Sequence, residues 1–286
     1  MHVGIGLPST IPGAAGEQIV EWARSAEQHG FSSLGVIDRL VYGNDEPLVT
    51  LGAAAAVTAR IALMTCVLVV PFRVNAALLA KQAATVNHLS GGRLMLGMAV
   101  GGYADDYEAS GVAFSERGRR FDEMLDEMTR VWTGESRGFA GPIGPAPGVD
   151  RSQIIFGGQS GRAYTRVATR GAGWIAGSRG VEAFRRGAAG VRQAWTRYGR
   201  GGRPRLMALP YFCLGPQAHQ HAEAYLTDHY AVEGPAVAQV LSYALTDAAA
   251  VRAAIAAYDR AGCDELVLFP CSPDPHQVRL LADALR

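Results

Sequence analysis

The sequence is poor in the residues that mark several functional classes. It has four cysteines in 286 residues, and none of them forms a CxxC pair. This spacing gives no signal for a zinc site or a disulfide framework, and it favours reduced thiols in a cytoplasm. Charged residues make up 19% and the formal net charge is +1, which gives no electrostatic footprint for nucleic acid or an anionic membrane.

The chain also lacks the apolar segments of secreted and membrane proteins. Its start, MHVGIGLPST, has no basic stretch followed by a long apolar run, so it does not resemble a signal peptide. The longest apolar run, Ile61 to Phe72, is too short to span a bilayer. We therefore expect a soluble cytoplasmic protein whose core is supplied by the 49% of residues that are hydrophobic.

Strand-like and helix-like segments alternate along the chain. Apolar runs such as Leu94 to Val100 alternate with amphipathic patterns such as Glu116 to Trp132, and we predict eight strands, each followed by a helical segment. The strands show no polar alternation, which indicates burial on both faces, as in a parallel sheet. Eight such units favour the α/β class and a single (β/α)₈ barrel over residues 1–286, with 134–150 as a long loop, rather than a doubly wound sheet.

In a (β/α)₈ barrel the functional site lies in the loops that follow the strands. Two late turns of this kind are rich in glycine, 157–161 and 177–180. Glycine lets the backbone approach a ligand closely, and the amides at a helix N-terminus favour an anion. These turns therefore predict a phosphate site, and the alternative is that they are ordinary connecting turns.

A third turn, Gly101-Gly102-Tyr103, follows the fourth predicted strand. Paired glycines there would let a flat ring lie against the backbone, with an aromatic side chain beside it. Asp105 and Asp106 fit the start of a helix better than a metal site, because no histidine or third carboxylate stands nearby in the sequence. Among the histidines only His88 is a candidate, and a helix-end role is the stronger interpretation for it.

The stretch from Leu78 to Leu125 carries a recognisable family pattern. Its central block is LSGGRL, and VGIGLP at the start and Gly157-Gly158 before Gly173-Trp174 extend the match over nearly the whole chain. The pattern resembles the luciferase-like monooxygenase superfamily, and most closely its short actinobacterial members. The further matching positions are Ala80-Lys81, Gly30-Phe31, Asp38, Tyr107, Gly111, Arg117-Gly118 and Asp122-Glu123.

The resemblance implies a barrel that binds either FMN or the deazaflavin coenzyme F-420, without a metal. It also implies a non-proline cis peptide bond at the end of the third strand, here Cys66-Val67, on which the isoalloxazine ring leans. The cofactor-binding residues that it implies are Thr65, Cys66, Val67, Gly101, Gly102, Tyr103, Gly157, Gly158, Gln159, Ser160, Gly177 and Ser178.

The chain departs from the family after the second strand. Many members carry a catalytic histidine directly after the acidic residue, whereas this chain has Asp38-Arg39. Arginine does not shuttle protons at neutral pH, although it can orient an anion by bidentate hydrogen bonds. The candidate catalytic residues are therefore Asp38, Arg39, Tyr103 and Tyr107, and the proton donor stays open.

The implied activity is oxidation of a small organic substrate with reduced FMN and dioxygen. The alternative is hydride transfer that depends on coenzyme F-420, and a non-catalytic flavin-binding barrel is the third hypothesis. We expect a homodimer through the alanine-rich helices at 48–57 and 76–84. A separate flavin or deazaflavin reductase is a possible partner.

Overall fold

The computed structural model describes residues 1–231, 234 and 237–286. The strands are β1 His2–Gly6, β2 Ser33–Val36, β3 Ala62–Thr65, β4 Leu68–Val69, β5 Leu94–Ala99, β6 Ile154–Gly157, β7 Gly173–Ala176, β8 Arg205–Ala208, β9 Tyr211–Phe212 and β10 Glu265–Pro270. The helices are α1 Gly16–Gln28, α2 Pro47–Val57, α3 Ala76–Leu89, α4 Ala104–Ala109, α5 Arg117–Trp132, α6 Gly161–Arg170, α7 Gly180–Arg197, α8 Ala218–His229, α9 Val237–Leu241, α10 Ala248–Arg260 and α11 His276–Ala284.

The strands close into a parallel barrel with helices between them. β1 pairs with β2 on one side and with β10 on the other, which joins the two ends of the sheet. The short strand β4 extends the pairing along β5, and β9 extends it along β10. The predicted (β/α)₈ barrel is confirmed. Strands β8 and β9 are separated by Leu209 and Pro210, and the proline has no N–H to donate to a ladder.

The barrel interior is a packed core. Met64, Met95, Ile155, Met207 and Phe269 belong to one buried cluster inside the strands. A Cβ at position 6 would lie 2.3 Å from Cδ1 of Phe269, and a Cβ at position 35 would lie 2.8 Å from its Cζ. The glycines of β1 and β2 therefore make room for this ring, which fills the barrel interior.

The α8–α9 segment, which comprises α8, α9 and residues 242–245, departs from the regular alternation. The buried residues of α8 join the cluster inside the barrel, whereas those of α10 join the outer layer between strands and helices. Three helices follow β9, and α10 takes the place of the outer barrel helix. The sequence pattern does not distinguish the inner helix from the outer one, because helical periodicity identifies an apolar face but not the surface that it covers.

Two further expectations concern segments outside the barrel. Residues 134–150 contain no helix or strand in the structure and only one isolated bridge, between Ser136 and Pro142. None of the described helices has both the length and the apolar character needed to cross a bilayer.

Candidate functional site

The first part of the barrel mouth consists of Val67 and the turns 101–103, 157–160 and 177–180, and we name it the glycine half. A cis peptide bond joins Cys66 to Val67, as the resemblance implies. A Cβ at position 157 would lie 3.3 Å from Cγ1 of Val67. Gly101 has φ +68°, and a Cβ there would lie 2.7 Å from a methyl group of Val69. The glycine backbone therefore packs closely on the methyl groups of Val67 and Val69 to form this floor.

The two predicted phosphate turns differ in how well their hydroxyls are satisfied. Ser160 caps α6, because its Oγ accepts a hydrogen bond from the amide of Ala163 at 3.2 Å. Ser178, before α7, is 6% exposed, and its Oγ has no partner within the described part of the chain. A Cβ at Gly177 would meet nothing within 4 Å. An unsatisfied buried hydroxyl beside open space fits a phosphate oxygen at this turn.

The resemblance also placed Thr65, Cys66 and Gln159 at the cofactor. Thr65 is fully buried, and its hydroxyl donates to the carbonyl of Gly97 at 2.6 Å. Burial raises the pKa of the Cys66 thiol, so this side chain is not a thiolate. Gln159 is exposed at the rim. These three residues line or support the glycine half, and their cofactor contacts stay predictions.

The loop after β2 carries two buried charges, and both are paired. The carboxylate of Asp38 accepts hydrogen bonds from Arg73 Nη1 at 2.6 Å and from the amide of Val69 at 2.7 Å. Burial raises the pKa of Asp38, and Arg73 opposes that shift. Arg39 donates through Nε to Asp106 and through Nη2 to Asp105, each at 3.0 Å. Both side chains thus fix loops to one another.

The two candidate tyrosines have different surroundings. The guanidinium of Arg39 lies 3.7 Å from the centroid of the Tyr103 ring, and Tyr103 is partly exposed at the mouth. Tyr107 is 1% exposed, and its hydroxyl donates to the carbonyl of Val100. Burial raises the pKa of Tyr107, which keeps this hydroxyl protonated. Tyr103 is therefore accessible at the mouth, whereas Tyr107 is built into the wall.

The opposite part of the mouth, which sequence reasoning missed, is lined by aromatic side chains. We name it the aromatic half, and it comprises Thr10, Tyr42, Tyr211, Tyr225, His229 and Tyr230. The hydroxyls of Thr10 and Tyr225 lie 2.6 Å apart, and those of Tyr211 and Tyr230 lie 2.9 Å apart. Tyr42 donates to the carboxylate of Asp228. These contacts attach α8 to the loops after β1 and β2 and to β9.

His229 lies in the middle of this aromatic half. Its ring centroid is 5.0 Å from that of Tyr42, 5.4 Å from that of Tyr225 and 4.9 Å from that of Tyr230. It is 4% exposed, and its Nδ1 has no hydrogen-bond partner among the described residues. Burial lowers the pKa of His229 to about 4, with a smaller contribution from Arg39, so the imidazole is neutral at pH 7.

A signal for this residue exists in the sequence. His229 follows Ala218, Ala222, Tyr225 and Leu226 on one helical face, and this face is the buried one. The other six histidines, His88 included, are exposed. A histidine on the apolar face of a predicted helix is therefore expected to be buried, unlike the other histidines. The pattern does not show which surface that face packs against.

Comparison with known proteins relates this chain to one family. A family model described as luciferase-like monooxygenase matches residues 1–267. An uncharacterized protein of Mycobacterium tuberculosis is 32% identical over 185 residues, which are 54% of this chain and 63% of the relative. The F-420-dependent glucose-6-phosphate dehydrogenase of Nocardia farcinica is 34% identical over 151 residues, 49% of this chain and 45% of the relative. The chain thus spans less than two thirds of these relatives.

Solved structures with the same fold use both types of cofactor. An F-420-dependent secondary alcohol dehydrogenase, solved with an F-420–acetone adduct, superposes with a TM-score of 0.81 at 15% identity, covering 100% of this chain and 99% of the other. The 3,6-diketocamphane monooxygenase of Pseudomonas putida, solved with FMN, gives a TM-score of 0.75 at 14% identity, covering 99% and 96%. At these identities the likeness concerns the fold alone.

Proposed function

The chain belongs to the luciferase-like monooxygenase family, and from this premise we propose that it is an oxidoreductase that transfers a hydride between coenzyme F-420 and a small organic substrate. The observation that carries the proposal is the unsatisfied Ser178 hydroxyl beside open space, next to a backbone floor. The 34% identity to an F-420-dependent dehydrogenase supports the deazaflavin over FMN. This choice reverses the preference from the sequence pattern alone.

The residues of the glycine half would hold the cofactor. The Ser178 hydroxyl and the amides that open α6 and α7 would bind phosphate, and Gly101 and Gly102 would let the ring lie against the backbone. Tyr103, stacked on Arg39, would close one side of the ring. When bound, the cofactor supplies the hydride chemistry.

The four candidate catalytic residues would divide into two roles. Asp38 and Arg39 would act as positioning residues, because their donors and acceptors bind Arg73, Asp105 and Asp106. Tyr107 would support the wall, and Tyr103 would be the member that touches the ring.

Cofactor binding tests the proposal directly. Coenzyme F-420 and FMN are titrated separately into purified protein, and the dissociation constants are measured by fluorescence. We expect F-420 to bind at least tenfold more tightly. Selective binding of FMN would contradict the deazaflavin assignment, and binding of neither would contradict the flavin-type site as a whole.

The second candidate is an FMN-dependent monooxygenase. The fold shared with the FMN-bound diketocamphane monooxygenase favours it. In that case the protein would depend on a separate flavin reductase for reduced FMN. Consumption of dioxygen that is coupled to loss of substrate would distinguish this activity from hydride transfer.

A homodimer through α2 and α3 is part of the proposal. Val49, Leu78 and Leu89 are 70%, 53% and 62% exposed along the outer groove between these helices. Exposed apolar residues grouped in this way are typical of protein interfaces. We expect Val49→Lys with Leu78→Lys to convert a dimer to a monomer in light scattering, and a wild-type monomer at micromolar concentration would refute the dimer.

A further inference from the structure

The α8–α9 segment lies across the part of the mouth that faces the glycine half. On one side Tyr225 and Asp228 of α8 bind Thr10 and Tyr42, in the loops after β1 and β2. On the other side Tyr243 packs on the start of α7, where a Cβ at Gly180 would lie 2.7 Å from its ring. The segment therefore spans from the loops after β1 and β2 to the loop after β7.

The surface around this segment is apolar. Five residues pack against the cluster inside the barrel yet remain partly exposed: Ile37, Val67, Tyr230, Leu241 and Ala244. Ile37 follows β2, and Val67 belongs to the cis peptide bond. Tyr230 follows α8, Leu241 ends α9, and Ala244 lies shortly after α9. Among the described residues, the partly exposed side chains that pack on this cluster next to the α8–α9 segment are therefore hydrocarbon and one tyrosine.

The charges near this surface are already compensated within the protein. Asp38 is paired with Arg73, and Arg73 also binds Glu46 at 3.1 Å. Arg39 is paired with both Asp105 and Asp106. His229 is neutral at pH 7. A charged substrate group placed here would lose its hydration without gaining one of these charges as a partner, and such a transfer is strongly unfavourable.

We infer that the substrate is an uncharged, mainly apolar molecule, held between the glycine half and the α8–α9 segment. This inference rests on the proposed function for the reacting group, for which an alcohol or a carbonyl is the simplest pair that hydride transfer interconverts. A neutral cyclic or aliphatic alcohol or ketone fits this surface, whereas a sugar phosphate does not. The chain thus differs in substrate class from the glucose-6-phosphate dehydrogenases to which it is related.

The experiment compares ketones with and without a charge. Cyclohexanone and larger neutral ketones up to ten carbons are titrated into protein with and without cofactor, alongside the same skeletons carrying a carboxylate and glucose 6-phosphate. Calorimetry measures the dissociation constants. We expect the best neutral ligand to bind at least tenfold more tightly than its carboxylated counterpart. Equal or tighter binding of the anions, or no binding of any neutral ketone at millimolar concentration, overturns the inference.

Variants locate the binding surface. Leu241→Lys places a cation on the α8–α9 segment and should weaken binding of the neutral ketone at least tenfold. Phe139→Lys, at an exposed position of the loop 134–150, is the matched control and should leave it within twofold. An unchanged affinity in Leu241→Lys, with the fold intact by circular dichroism, also overturns the inference.

Cofactor affinity, measured on the same preparations, separates the two proposals. A protein that binds coenzyme F-420 but prefers the anions refutes only the substrate class. A protein that binds neutral ketones but neither flavin refutes only the proposed function.

Discussion

The two halves of the barrel mouth are built by different physical means. The glycine half is made of glycine turns, of which Gly102 and Gly177 border open space, and of the Ser178 hydroxyl, which has no partner in the described part of the chain. The aromatic half is made of tyrosine rings and hydroxyls that satisfy one another around the neutral His229. One half presents glycine turns, where we propose that a phosphate binds, and the other presents aromatic side chains that pack on one another.

The loop after β2 holds these halves together. Asp38 binds Arg73 and the amide of Val69, whereas Arg39 binds Asp105 and Asp106. The comparison therefore makes separable predictions. We call the loop after β2 and its ion pairs the junction. Changes in the junction should lower the stability of the fold. Changes in the glycine half should weaken cofactor binding, and changes in the aromatic half should weaken the attachment of α8.

Breaking the junction should have the largest effect. Asp106→Ala removes the acceptor of Arg39 Nε and of the amides of Leu40 and Val41, and it leaves a buried guanidinium poorly compensated. We expect the free energy of unfolding to fall by about 3–5 kcal/mol in chemical denaturation. Asp105→Ala is the control, because that carboxylate is 39% exposed and should contribute about 1 kcal/mol or less. Equal losses in the free energy of unfolding in the two variants would show that the burial of Asp106 does not account for its contribution to stability.

Acid should destabilise the aromatic half next. The folded-state pKa of His229 is about 4, below its ordinary value of 6.5, so the unfolded chain binds more protons between these limits. Stability that is fully present above pH 6.5 is thus lost as the pH falls towards 4, by about 3 kcal/mol for this group.

The matched variants for this pH dependence lie on the same helix. His229→Gln should flatten the decline in the free energy of unfolding between pH 6.5 and 4, whereas His221→Gln, at an exposed position of α8, should not. Parallel pH curves for wild type and His229→Gln would contradict the burial of a neutral imidazole.

In the glycine half, Ser178→Ala should affect binding without affecting stability. The hydroxyl has no protein partner in the described chain, so its loss removes no intramolecular hydrogen bond. A lost hydrogen bond to a charged phosphate corresponds to about a tenfold weaker cofactor affinity. Ser136→Ala, at an exposed position of the loop 134–150, is the control. Unchanged cofactor affinity would remove Ser178 from the phosphate site.

The smallest effect is expected at the rim of the aromatic half. Tyr42→Phe removes the hydrogen bond to Asp228 at a partly exposed position, which should lower the free energy of unfolding by about 0.5–1.5 kcal/mol. Cofactor affinity should stay within twofold, as in the control Tyr198→Phe, because Tyr42 lies away from the glycine half. A tenfold loss of cofactor affinity would mean that the halves are not independent.

The site was predictable from the sequence to the extent that it is local. Turns such as Gly101-Gly102-Tyr103 and Gly177-Ser178 stand where a strand ends, so their position at the mouth follows from the strand pattern. The cis bond at Cys66-Val67 came from the family resemblance, not from the residues themselves. The role of Arg39 was not predictable, because its partners stand 66 and 67 residues further along the chain.

The sequence by itself determined the barrel, through the repeated alternation of buried strands and amphipathic helices, and it determined the glycine turns at the strand ends. Only the tertiary structure decided that α8 covers the mouth and that His229 meets Tyr42. The contacts that place this helix join residues 186 and 215 positions apart. Helical periodicity fixes which face of a helix is apolar, but the surface that buries this face exists only after the barrel has closed.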